Sequence, residues 1–164
     1  MDHVSAEVRS RIMVSVRSKG NLSTEVALGK LLWAAGLRGY RKHWRVEGRP
    51  DFAWPALKVA VFVDGCFWHG CRCKSTPKAN RKFWLAKIEN NQRRDRRVTR
   101  RLRRRGWAVL RIKECAISRI SSLHRVVAAV EYRRRILRLK AARSAQPEQD
   151  GARTKEPNPV AKCG

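Results

Sequence analysis

The sequence is short of acid: only 13 Asp and Glu stand against 39 Lys and Arg in 164 residues, a formal net charge of +26. A compact chain so one-sided repels itself unless a polyanion neutralises it. Arginine outnumbers lysine 27 to 12. Guanidinium forks match phosphate oxygens bidentately, so nucleic acid leads as the partner class, with an anionic membrane surface as competitor. Long hydrophobic runs are also missing. Nothing approaches the ~20 apolar residues of a membrane span, and the N-terminus lacks a signal-peptide apolar region. A soluble, cytoplasmic protein is expected. No Gly-rich phosphate loop follows any predicted strand, which excludes a dinucleotide-binding βαβ unit, and there is no internal repeat. Apolar residues still make up 43% of the chain. That is enough for a core, so wholesale disorder is excluded, and the length fits one domain plus a tail.

Residues 1–19 form a basic arm. Ser23 or Thr24 can cap a helix carrying Leu28, Leu31, Leu32 and Ala35, with Gly36 as its stop. Tyr40 to Val46 alternates as a strand, Asp51 to Trp54 is a short strand, and Val59 to Val63 is a continuous apolar run suited to a strand covered on both faces. One long helix is predicted from Arg81 to Arg105, then a strand from Trp107 to Ile112. The order helix, three strands, helix, strand gives one α/β domain over 20–117. An amphipathic helix over 118–142 follows, and Pro, Gln, Glu and Gly mark 143–164 as a disordered tail.

Within the long helix, Trp84, Ile88, Asn91, Asp95, Val98 and Leu102 make one stripe at 4-3-4-3-4 spacing. Asn91 and Asp95 interrupt it, and burying either unpaired would cost a few kcal/mol. They are either hydrogen-bonded inside or facing a polar cavity. Nine arginines between Arg93 and Arg105 cover the other faces, with Asp95 the one acid among them, which reads as a phosphate-binding face. Asp51 opens a strand and Asp64 ends the next. With Glu25 from the first helix, they can hold a hard cation such as Mg²⁺, although Pro50-Asp51 also reads as a turn. His69 suits a general base or acid, while a lone His is also commonly structural. Cys66, Cys71, Cys73 and Cys115 supply four thiolates, enough for a closed structural Zn²⁺ site without a position for water; the alternative is reduced core cysteines. Cys163 lies in the tail. Phe67 and Trp68, on the loop between these ligands, either wedge between base steps or tuck over the metal.

Gly48-Arg49-Pro50-Asp51, then Val61-Phe62-Val63-Asp64-Gly65-Cys66-Phe67-Trp68-His69-Gly70-Cys71, then Phe83-Trp84, Lys87-Ile88, Asn91, Arg94-Asp95, Gly106-Trp107 and Glu114-Cys115 resemble the very short patch repair (Vsr) endonucleases in order and spacing. The likeness runs from Arg9 to Ala116. It implies a restriction-endonuclease-like fold, a central mixed β-sheet flanked by helices, with a structural zinc. The activity it implies is Mg²⁺-dependent nicking of duplex DNA on the 5′ side of the thymine in a T:G mismatch left by 5-methylcytosine deamination.

Position by position, the resemblance makes Asp51 the direct Mg²⁺ ligand, helped by the Val63 backbone carbonyl. His69 assists the attacking water, and Glu25 and Asp95 support the hydrated metal. Met13, Phe67 and Trp68 form the wedge beside the mismatch, and Lys87 and Asn91 face the bases. Two positions depart from the pattern. Asp64 stands where some relatives have His, which suggests that it binds metal directly, and Cys71 stands where some have His. A single-strand nick needs one copy, so a monomer is expected, held to the nucleoid by its DNA, with mismatch-repair proteins as further partners. Two competing readings are a restriction-type endonuclease that cuts undamaged duplex and a non-catalytic zinc-bound DNA-binding module.

Overall fold

The computed structural model describes residues 22–74, 78 and 80–145. A five-residue π-helical turn, Leu22–Val26, runs into α1 (Ala27–Ala34). The strands are β1 (Arg41–Lys42), β2 (Phe52–Trp54), β3 (Val59–Asp64) and β4 (Ala108–Lys113). Helix α2 (Arg81–Arg104) lies between β3 and β4, and α3 (Ile120–Ser144) closes the described chain. The sheet order is β1-β2-β3-β4. The first three strands are antiparallel neighbours, and β3 and β4 run parallel across the α2 crossover.

Period-two alternation sorts the sheet's side chains to two faces, each with its own cover. Val59 and Val61 of β3, with Leu110 and Ile112 of β4, pack with Leu28 and Leu32 of α1 and Val126 and Val130 of α3. Ala60 and Phe62, with Val109, meet Val98 and Leu102 of α2. The apolar run at β3 is thus covered on both faces, as its composition predicts. The stripe on α2 is the seam that docks this helix, and Asp95 sits on the same seam one turn before Val98.

Three local expectations need correction. The strand over 40–46 stops after Lys42, because His43 adopts φ 48°, a left-handed conformation that ends β pairing. Helix α1 has no side-chain cap; its first turn is the wider π form, a geometry that concentrates at functional sites. The C-terminal helix ends at Ser144 rather than at 142. The basic arm, and the tail from 146 on, lie outside the described residues.

Gly48, in the turn before β2, has φ 82°, and a Cβ there would come within 2.4 Å of Val98 Cγ1 on α2. A left-handed residue that also admits the core seam so closely requires glycine. Gly48→Ala is expected to lose about 2–3 kcal/mol, read as a lower midpoint in urea unfolding with an unchanged slope.

Candidate active site and cysteine cluster

The antiparallel β2–β3 pairing sets the start of β2 beside the end of β3, so Asp51, Val63 and Asp64 share one end of the sheet. Asp51 Oδ2 accepts a 2.6 Å hydrogen bond from the Val63 N–H. The carboxyl is nevertheless pushed up from 3.8 to about 6, chiefly because burial disfavours its charge and the Glu25 carboxylate repels it. Glu25 reaches this place from the π-helical turn. Its Oε2 lies 3.2 Å from His43 Nε2 yet is buried without a well-aligned hydrogen bond. Ligand atoms of Glu25, His43 and Asp51 all lie within 4.8 Å of one another. A buried carboxylate oxygen with no aligned hydrogen bond, beside a second, destabilised carboxylate, is an arrangement that a hard cation completes.

The second acidic group is built across β3, β4 and α2. Arg111 faces Phe62 across the parallel ladder and so projects to the α2 side with Asp64. Its Nε and terminal nitrogen donate to the two oxygens of Asp64 at 2.8 and 2.5 Å, and it lies 2.9 Å from Asp95. Asp95 Oδ2 stands 2.5 Å from His69 Nδ1. Burial would raise the Asp95 pKa, but the His69 hydrogen bond and the Arg111 charge outweigh it and hold the carboxyl below 3.8. This ionised carboxylate holds the His69 ring through Nδ1. Asp51 of the first group and Asp64, His69 and Asp95 of the second, with Val63 and Arg111, line one cavity of about 290 Å³. The sequence-predicted residues therefore converge, with one qualification: both Asp64 oxygens are engaged by Arg111.

Just past the ends of β3 and β4, Cys66, Cys71, Cys73 and Cys115 bring their sulfurs within 4.8 Å of one another, all as free thiols. Cys71 Sγ and Cys115 Sγ are 3.6 Å apart, close to the ~3.8 Å edge of a tetrahedron whose sulfurs stand 2.3 Å from a zinc. Cys115 is brought in by the turn Glu114–Ala116 directly after β4. Glu114 accepts a hydrogen bond from the Cys66 N–H at 3.1 Å, and Cys66 Sγ accepts one from the Cys115 N–H at 3.3 Å. Hydrogen bonds from the Cys73 backbone and thiol pull Cys71 down to about 6, and the same thiol neighbours push Cys73 up to about 12. One thiolate is thus stabilised by the other thiols.

Comparison with known proteins decides what this assembly belongs to. A family model described as DNA mismatch endonuclease Vsr matches residues 1–75. The type II nicking enzyme V.NmeDIP of Neisseria meningitidis serogroup C is 51% identical over 114 residues, spanning 68% of this chain and 76% of that protein. The type II nicking enzyme V.HpaIIP of Haemophilus parainfluenzae is 40% identical over 68% of this chain and 81% of its own length. The DNA mismatch endonuclease Vsr of Escherichia coli is 37% identical over 66% and 70%. The chain belongs to the Vsr family. It is a DNA endonuclease.

The aromatic loop of this Vsr chain is packed rather than splayed. Phe67, Trp68 and Trp84 stack edge-to-face, with centroids 5.0, 5.2 and 6.0 Å apart, and Phe83 adds a fourth ring 5.2 Å from Trp84. Asn91 Nδ2 donates to the Trp68 carbonyl at 3.0 Å, and Gln92 Nε2 to the His69 carbonyl at 3.1 Å. Asn91 therefore holds the loop onto α2, and Lys87 stands exposed one turn earlier. Met13 lies outside the described residues. Sequence reasoning missed His43 and Arg111. A lone Arg inside the apolar strand Val109-Leu110-Arg111-Ile112 was a legible signal; His43 carried none. Among the described residues, no helix is long and apolar enough to cross a membrane.

Proposed function

We propose that this endonuclease nicks one strand of duplex DNA on the 5′ side of the thymine in a T:G mismatch, using Mg²⁺, and that Cys66, Cys71, Cys73 and Cys115 hold a structural Zn²⁺. The observation that carries the reading is the single cavity in which Asp51, Val63 and an Asp95-bonded His69 come together, with an aromatic cluster on the adjoining loop. Two relatives are named nicking enzymes and one a DNA mismatch endonuclease, which favours a one-strand cut over restriction-type cleavage.

Asp51 and the Val63 carbonyl would hold the cation, with Glu25 and His43 beside it. Bound there, Mg²⁺ would supply positive charge for a phosphoryl oxygen and acidify water. His69 takes the proton of the attacking water at Nε2 while Asp95 stabilises the imidazolium through Nδ1. A P–O bond to water forms as the P–O bond to the leaving sugar oxygen breaks, with no covalent enzyme intermediate. Arg111 neutralises Asp64 and Asp95, which would otherwise repel the incoming phosphodiester. Phe67 and Trp68 reach a distorted base step by turning out from Trp84, and Lys87 and Asn91 lie on the base-facing side of α2.

The direct test uses labelled duplexes that differ only in T:G or C:G at one position, set in a panel of methylation-site contexts. A nick on the T strand alone, lost with EDTA, is expected; equal cutting of the paired duplex would return the restriction-type reading. The same assay checks the pH dependence of the metal site. With the Asp51 carboxyl raised to about 6, a proton competes with the cation below that pH. The Mg²⁺ concentration for half-maximal nicking should rise about tenfold per pH unit below 6 and level off above it. A flat requirement between pH 5 and 7 would remove Asp51 as the ligand.

A further inference from the structure

The acids of the fold divide the nine arginines between Arg93 and Arg105 into two sets. Arg93 pairs with Glu89 at 2.6 Å, and Arg101 and Arg105 both reach Glu47 at 3.0 and 3.8 Å. Arg94 lies 3.6 Å from Asp95. Arg96, Arg97, Arg100, Arg103 and Arg104 have no ion-pair or hydrogen-bond partner among the described residues. Of these five, Arg96, Arg100 and Arg103 fall on one stripe of the helix, at steps of four and three residues. That stripe lines a groove of about 430 Å³ with Asp95, Thr99 and Arg111. Asp95 and Arg111 also line the catalytic cavity, so the groove is its continuation along α2. Thr99 Oγ1 is buried there, with no hydrogen-bond partner among the described residues.

We propose that this groove is a phosphate track for a single DNA strand. Arg96, Arg100 and Arg103 grip backbone phosphates flanking the scissile one and thereby set its register over Asp51 and His69. The proposal rests on the DNA-nicking reading above and deepens it. Seven residues of helix span about 10.5 Å, the axial length of roughly three nucleotides of one strand. Guanidinium forks suit phosphate oxygens better than ammonium groups do, because two parallel N–H donors fix the angle as well as the distance. Three unneutralised cations crowded into one groove also repel each other in the free protein, and a polyanion relieves that repulsion. The paired arginines carry the same formal charge, but their carboxylate partners already offset it.

The experiment uses the full chain, a 20-base-pair duplex with one T:G pair, and EDTA so that nothing is cut. Affinity is followed by fluorescence anisotropy across a salt series. The triple variant Arg96→Gln, Arg100→Gln, Arg103→Gln is expected to lower the slope of log Kd against log salt by about 2–3, since each phosphate contact contributes about 0.9. It should bind at least about tenfold more weakly at low salt, where its melting temperature should rise with the repulsion removed. The control Arg93→Gln, Arg101→Gln, Arg105→Gln removes the same number of arginines and should change the slope by less than about 1. Equal slope changes in the two triples, or a wild-type slope in the first, would overturn the track. If the first triple does not fold, Arg100→Gln alone must lower the slope by about 0.9, and Lys at all three positions must keep the slope while losing affinity. A wild-type chain that bound no duplex at all would count against the DNA reading itself rather than against the groove.

Discussion

Asp51→Asn should abolish nicking while leaving mismatch binding intact. The charge that a metal places on a phosphoryl oxygen is worth several kcal/mol, which corresponds to roughly 10³-fold in rate, and Asp51 is the side chain that positions it. The direction of the other two readouts follows from the same carboxyl. In the metal-free fold its pKa lies at about 6, above the ordinary 3.8. Its protonated form therefore stabilises the fold fully below about pH 4, and that contribution is lost as pH rises through 6. An uncharged Asn avoids the loss, so the metal-free variant should melt no lower than wild type at pH 7. Removing a negative charge from the phosphodiester's path should also leave affinity for the T:G duplex equal or tighter. Retained nicking, or binding lost in parallel with nicking, would show that Asp51 does not carry the metal.

Stripping zinc should have the largest effect on stability. Binding free energies of structural zinc in small peptides are on the order of 10–16 kcal/mol, as large as the whole net stability of a typical domain. We expect one zinc per chain by elemental analysis, and a fall in melting temperature well above about 10 °C after treatment with a strong chelator. Added Zn²⁺ should restore it and added Mg²⁺ should not. Cys66→Ser should reproduce the loss, since this thiol is 1% exposed and ties the loop to β4 through the Cys115 N–H. Nicking should fail with the fold of the loop, because His69 lies between Cys66 and Cys71. A zinc-free protein with an unchanged melt would make the four thiols ordinary core cysteines.

The helical stripe from Trp84 to Leu102 was legible because a buried helix face must repeat at 3.6 residues, and no other element tolerates that period. The run at β3 was legible because only a strand covered on both sides can be apolar at every position. Asn91 and Asp95 stood out on the stripe as polar groups that burial would penalise. The structure resolves their two alternatives into one: Asp95 is hydrogen-bonded and also lines the cavity, and Asn91 is bonded to the aromatic loop. The strand expected over 40–46 failed because alternation does not report backbone conformation, and His43 turns left-handed after two paired residues.

Composition and spacing by themselves pointed to a polyanion partner and an α/β fold, and singled out the acids, thiols and histidine that the structure brings into clusters. Each of those rests on residue type or on local period, which a linear chain displays. The partnerships were decided only in three dimensions. Arg111 meets Asp64 across 47 positions because β3 and β4 run parallel. His43 joins Glu25 and Asp51 because β1 lies beside β2. Nine arginines that look alike in sequence separate into neutralised and free sets because Glu47 and Glu89 reach some and not others. Electrostatic energy depends on distance through space, and strand pairing and helix docking set that distance.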